Sequence, residues 1–171
     1  RRMQVFRGFH HPGIARECAL TIGNFDGVHR GHQAMLALLR SEAKHRGLPT
    51  AVLTFEPHPR EFFAPDSAPA RLTTLREKLE LLGECGARQA MICPFNAAFA
   101  ALSADAFVEQ VLVRGCQVRH LIIGDDFRFG RGRTGDFAFL EEAGMRFGFT
   151  VEAMGRVMLD GERVSSSAVR Q

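Results

Sequence analysis

Apolar and polar positions along this chain switch between two rhythms. Residues 19–22, 50–55, 88–93, 118–123 and 149–153 are short runs rich in aliphatic, β-branched and aromatic side chains, the pattern of strands buried on both faces of a parallel sheet. Between them the spacing becomes helical. Met35, Leu36, Leu38 and Leu39 share one side of a segment whose other side carries Arg40, Glu42 and Lys44, and Gly47 closes it. Residues 72–83 predict a second helix, opened by Thr73 or Thr74 and stopped by glycine. Ser103 predicts the cap of a third, in which Phe107, Val108, Val111 and Leu112 lie on one face before a stop at Gly115. Residues 137–147 predict a fourth. Regular alternation of strand and helix defines an α/β fold, a Rossmann-like doubly wound parallel sheet of about five strands. The Asp160-Gly161 turn signal between apolar neighbours adds a small β-hairpin near the C-terminus. Residues 1–16, with Val5, Phe6, Phe9 and a Pro12-Gly13 turn, lead into the first strand.

Composition narrows the class. The 171 residues, 46% hydrophobic and 24% charged, suit one globular domain with a sizeable core. A net charge of +3 with dispersed arginines favours small phosphorylated ligands over nucleic acid. Cys18, Cys85, Cys93 and Cys116 form no C-x-x-C pair, so packed, reduced thiols are expected rather than a zinc site or a disulfide framework. No apolar stretch approaches the roughly 20 residues that span a bilayer, and no secretory apolar region follows the basic start. The expected compartment is the cytoplasm, with no membrane partner.

The chemistry concentrates where the first run ends. Gly23-Asn24-Phe25-Asp26-Gly27-Val28-His29-Arg30-Gly31-His32 joins that strand to the first helix. The first N–H groups of a helix lack intrahelical partners and carry partial positive charge, so an anion is welcome there. Gly23, Gly27 and Gly31 permit close backbone approach, and two imidazoles three residues apart can both donate to one phosphate. Asp26 would repel that phosphate unless it orients a donor or faces a hydroxyl or ammonium. After the second run comes Thr54-Phe55-Glu56-Pro57-His58-Pro59, then Phe62 and Phe63, which read as a stiff, partly apolar loop too proline-rich for a helix. Such a loop lies on the face where open α/β sheets bind ligands, and Phe62 could cover a flat ring. Residues 124–136 alternate glycine, arginine and phenylalanine around Asp126, Phe127 and Arg128, offering forked phosphate donors, a foldable backbone and stacking rings. Ser165, Ser166, Ser167 and Arg170 suggest a second anion site at a helix start.

Residues 23–32 resemble the G-x-F-D-x-x-H-x-G-H signature of the HxGH nucleotidylyltransferases, and the Asp-Gly-Val variant resembles bacterial FAD synthetases, which join an FMN adenylyltransferase to a riboflavin kinase. Residues 54–59 are similar to that family's T-F-x-P-H-P segment, 124–136 to its G-x-[DN]-F-x-F-G-x-x-R-x-G-D segment, and 164–170 to its [IV]-S-S-T-x-[IV]-R signature, with Ser167 where threonine is commoner. The resemblance implies adenylyl transfer from ATP to FMN, giving FAD and pyrophosphate, with Mg2+ accompanying ATP. It implies phosphate binding and transition-state stabilisation by His29 and His32, to which the second anion site adds Ser166 and Arg170 as catalytic candidates. Gly23, Asn24, Phe25, Asp26, Gly27, Gly31, Asp126, Arg128, Ser165 and Ser167 join these as ATP-site candidates. Phe55, Pro57, His58, Pro59, Phe62, Phe95 and Phe127 are the flavin-site candidates. Residues 1–171 then form the adenylyltransferase domain, with the riboflavin kinase as a C-terminal partner domain outside this chain. No dedicated metal ligands are assigned. Nucleotidyl transfer to another phosphorylated acceptor, and a non-catalytic flavin or nucleotide module, remain open at this point.

Overall fold

A computed structural model describes residues 2–14, 17–26, 30–66 and 74–155, with the side chain of Arg30 left out. The C-terminal hairpin, Gly27, His29 and the serine turn at 165–170 lie outside the described residues.

Six strands, all parallel, form one sheet: β1 (Gln4–Arg7), β2 (Cys18–Ile22), β3 (Thr50–Glu56), β4 (Gln89–Pro94), β5 (Val118–Gly124) and β6 (Thr150–Met154), in the order β1-β4-β3-β2-β5-β6. The expected count of about five misses β1. Only Phe6 of its four residues is buried, because β1 forms the sheet's edge, and so short and exposed a strand leaves no apolar run to read.

The helices are α1 (Arg30–Arg46), α2 (Pro59–Phe63), α3 (Leu75–Glu84), α4 (Ala97–Ala100), α5 (Ala104–Ala106), which continues without a break into π-helical turns over Phe107–Gly115, and α6 (Phe137–Phe147). Alternate strand residues face opposite layers. Ala19, Val52 and Ile122 pack with Met35, Leu36 and Leu39 of α1 and Leu82 of α3. Leu20, Leu53, Leu121 and Ile123 pack with Phe107, Val111 and Leu112 behind α5 and with Leu140 of α6. Each layer covers one face of the sheet, so the central strands are apolar on both sides, as their continuous runs require.

Local sequence sets the helix starts. Thr74 accepts from the Glu77 amide at 3.1 Å while Glu77 reaches back to the Thr74 amide at 2.9 Å, a complete capping box. Ser103 and Asp136 cap the starts of α5 and α6 with a single side-chain oxygen each, accepting from the Ala106 and Phe139 amides. The short helix α2 overturns the reading of residues 56–65 as too proline-rich for a helix. Pro59 occupies its first position, where a missing N–H costs nothing, and His58 caps it. All four thiols are free, and burial pushes those of Cys18 and Cys93 up to about 12, which keeps them protonated and inert at neutral pH.

Leu121 is fully buried between the two layers. Leu121→Ala is expected to lower stability by about 2–5 kcal/mol, read as a shift of the urea midpoint at unchanged slope.

Candidate active site

The chain runs from β2 outward through β3 and β4, then returns to place β5 on the other side of β2. At the carboxyl ends of β2 and β5 the connections therefore leave toward opposite faces: β2 leads to α1, and β5 leads to α6. A crevice between such strands is where open α/β sheets take ligands.

The turn after β2 is held from beneath. Phe25 adopts a positive φ of 52° and turns its ring into the core, where it is 1% exposed and lies 5.0 Å from the His32 ring. A Cβ on Gly23 would come within 2.9 Å of that ring, so this position needs glycine. Lys78 of α3 is buried, and its ammonium donates to the Asn24 carbonyl at 2.8 Å and to Thr54 Oγ1 at 3.1 Å. Thr54 in turn donates to the same Asn24 carbonyl at 3.2 Å. A buried ammonium is tolerated only with acceptors in place, so this cluster ties the turn to β3 and α3. Asn24 Oδ1 is buried and has no hydrogen-bond partner among the described residues. Helix α1 carries no acidic residue in its first turn, leaving its positive end uncompensated by its own side chains.

Beside this turn opens a cleft of about 930 Å³, at the upper end of the size range of small-molecule sites. Its floor is aromatic. Phe55 meets Phe95 edge to face at 5.8 Å, Phe99 stands 5.3 Å from Phe95, and Phe127 stacks on Phe129 at 5.7 Å with 19° between planes. Its rim is basic: Arg60, Arg128, Arg131 and Arg133 line it together with His58, and no carboxylate does so among the described residues. Such a lining matches a flat aromatic ligand that carries negative charge.

The β5 loop is built to present those arginines. Phe129 and Gly135 exchange backbone hydrogen bonds at 3.2 and 2.9 Å, and the Arg131 amide donates to the Leu102 carbonyl at 2.7 Å. Gly130, at φ 78°, passes so close to the backbone of Ala104 that a side chain there would collide. The turn over Arg131–Arg133 is thereby pinned, while its two arginine side chains are exposed with no carboxylate partner among the described residues.

His58 works at the cleft wall. Its Nδ1 accepts from the Arg60 amide at 3.0 Å and its own amide donates to Glu61 at 2.8 Å, so the imidazole starts α2. Burial holds its pKa below the ordinary 6.5, with Glu61 opposing that shift.

Of the residues singled out by sequence, Asn24, Phe55, His58, Pro59, Phe95 and Phe127 line the cleft, as does Arg128. Gly23, Phe25, Asp26, Gly31 and His32 belong to the adjoining turn and the start of α1, and Asp126 precedes Phe127 on the β5 loop. Pro57 and Phe62 do not line the cleft. Phe62 supports it from behind, 5.7 Å from Phe95 and 5.2 Å from Phe63. Phe63, 67% exposed, takes the position at the mouth that Phe62 was expected to hold. His29, Gly27, Ser165, Ser166, Ser167 and Arg170 lie outside the described residues. Sequence reasoning missed Lys78, Arg60, Phe99 and Phe107. Arg131 and Arg133 stood in a recognised segment and could have been singled out there, whereas Lys78 had no signal in an ordinary amphipathic helix.

A helix start at the switch point of a doubly wound parallel sheet, beside an arginine-rimmed aromatic cleft, defines an α/β domain with a candidate ligand site at the carboxyl edge of its sheet. The family model described as FAD synthetase matches residues 11–168, and the chain belongs to that family. It is 51% identical over 171 residues to a bifunctional riboflavin kinase/FMN adenylyltransferase of Escherichia coli K12, covering 99% of this chain and 55% of that protein. A protein of the same description from Pseudomonas fluorescens is 53% identical over 169 residues, covering 98% of this chain and 54% of its own length. The chain thus spans about half the length of the curated relatives it matches. A solved structure titled as a macrolide-efflux protein from Streptococcus pneumoniae has a TM-score of 0.74 at 20% identity over 90% of this chain and 50% of its own, a likeness of fold alone. No helix among the described residues is long and apolar enough to cross a membrane.

The His58 cap sets a pH dependence. With its folded pKa below 6.5, the unfolded chain binds more protons across the interval between the two values, so stability rises with pH there. The cap is fully in place above pH 6.5 and is lost as acidification carries the ring through its folded pKa. An NMR titration should find the His58 midpoint below 6.5, with the Arg60 amide losing hydrogen-exchange protection as the ring protonates.

Proposed function

We propose that this chain transfers the adenylyl group of ATP to FMN, forming FAD and pyrophosphate. The observation that carries the reading is the pairing of an aromatic, arginine-rimmed cleft with a helix-start turn at the same switch point. One fits an isoalloxazine with a phosphate tail; the other fits a chain of phosphates. Membership of the FAD synthetase family and the names of its close relatives support the choice of acceptor.

In the reaction an oxygen of the FMN phosphate attacks the α-phosphorus of ATP in line. A new P–O bond forms, the bond from that phosphorus to the bridging oxygen breaks, and pyrophosphate leaves with the electron pair. The phosphate arrives ionised and needs no general base, so the protein's work is alignment and charge neutralisation. His29 and His32 at the start of α1 donate to phosphate oxygens, joined by Ser166 and Arg170. Asn24 and Asp26 hold the turn against the nucleotide, and Arg128 faces the anionic part of the acceptor. The rings of Phe55, Phe95 and Phe127 hold the isoalloxazine. Magnesium fits this donor set, since Asn24 Oδ1 is a buried oxygen without a partner among the described residues and would hold it beside phosphate oxygens and water. Bound with ATP, it would neutralise and orient the phosphates. The C-terminal partner is a riboflavin kinase domain, and the compartment is the cytoplasm.

Incubating the chain with FMN, ATP and magnesium, then separating the products chromatographically, should yield FAD and pyrophosphate. Retained flavin with no product would mark a binding module, and product with a different phosphorylated acceptor would reassign the substrate. His32→Ala or His29→Ala should each lower turnover by about a hundredfold to a thousandfold, the usual effect of removing one preorganised donor. Flavin fluorescence quenching should persist in both; near-normal turnover would remove the histidines from the mechanism.

A further inference from the structure

A second group of ligand-type side chains sits near the amino ends of β5 and β6. His120 is the third residue of β5, so about 13 Å of strand separates it from the cleft end at Gly124. Its ring is 2% exposed. Its Nε2 lies 3.1 Å from Glu152 Oε1 of β6 and 3.9 Å from Glu42 Oε1 of α1, and the three ligand atoms all lie within 4.8 Å of one another.

The other face of the ring decides what this means. Nδ1 is 2.6 Å from Thr150 Oγ1, and the Thr150 hydroxyl donates to the Arg119 carbonyl at 3.3 Å. In the tautomer with its proton on Nδ1, His120 donates to Thr150, whose hydroxyl donates onward to the Arg119 carbonyl. A neutral ring then turns the lone pair of Nε2 toward two carboxylate oxygens. Three acceptors converge, while Arg46 Nε donates to Glu42 Oε1 at 3.2 Å and its Nη1 reaches Thr150 Oγ1 at 3.4 Å. In that tautomer a cation at the centre relieves the convergence, whereas in the other a proton on Nε2 donates to Glu152.

We infer that His120 Nε2, Glu42 and Glu152 form a binding site for a divalent transition-metal ion, best matched by zinc. A tetrahedral zinc ion with bonds near 2.1 Å places its ligand atoms about 3.4 Å apart, between the two distances observed around Nε2. One imidazole and two carboxylates leave a fourth position, which opens to solvent because the Glu152 side chain is 38% exposed. The Nδ1–H to Thr150 bond is the outer-sphere support that fixes a histidine ligand's tautomer, and Arg46 plays the same part for Glu42. The ion would join α1 to β5 and β6 at the end of the sheet remote from the cleft. Its role is structural, and it is separate from the magnesium that accompanies ATP.

The test is calorimetric titration of tag-free, folded chain with zinc chloride, backed by the visible spectrum of the cobalt(II)-substituted protein. One ion per chain is expected, with tetrahedral d–d bands and a raised unfolding temperature. Glu152→Gln, at a half-exposed position, should keep the fold by circular dichroism yet lose the bands and the thermal shift. Thr150→Val should weaken binding about tenfold or more while leaving all three ligands in place. Adenylyl transfer should be unchanged in both variants. No binding by the native chain would show that a proton on Nε2 alone fills the gap. Binding that survives Glu152→Gln would place the metal elsewhere, on the thiols for instance. Either result overturns the site.

Discussion

Parallel pairing on both sides of β2 is the constraint from which the rest follows. Because β3 and β5 run beside β2 in the same direction, every connection must cross back over a face of the sheet, and all carboxyl ends gather at one edge. With the chain winding one way from β2 and then the other, the connections after β2 and β5 part. The candidate site lies in the gap between them, where the start of α1 and the aromatic cleft come together.

Two kinds of electrostatics then share one edge. At the turn after β2, charge is delivered by backbone dipoles and by the buried Lys78, whose ammonium is consumed in holding the Asn24 carbonyl. At the β5 loop it is delivered by exposed guanidinium groups on a backbone that Gly130 and Gly135 allow to double back tightly. The first arrangement is rigid and short-ranged; the second reaches further and is screened by salt. A ligand with a ring at one end and a phosphate at the other can use the aromatic floor, the arginines and the helix start in sequence.

Much of this was legible in the residues. The five apolar runs correspond to β2 through β6, and Thr74 and Ser103 sit at helix starts, as their short polar side chains suggested, whereas the cap at Asp136 went unread. What escaped is what depends on distant partners. β1 is a strand only because β4 offers it an edge, and Lys78 becomes a clamp only once α3 is laid beside residue 24. The helix at Pro59–Phe63 escaped because proline was weighed as a breaker when at a first position it is a starter. Phe62 and Phe63 could not be told apart, since adjacent helical residues point about 100° apart and only the fold determines which of them faces the cleft. The serine turn at 165–170 remains an expectation from the sequence, as it lies outside the described residues.

The central claim is that one crevice receives both substrates, with the flavin ring on the Phe55, Phe95 and Phe127 surface and the triphosphate at the start of α1. The most direct test is a crystal structure with FMN and a non-hydrolysable ATP analogue. The account predicts the isoalloxazine within stacking distance of that surface, its phosphate near Arg128, and the α-phosphate beside His32. A flavin bound elsewhere, or a triphosphate away from the turn after β2, would contradict it.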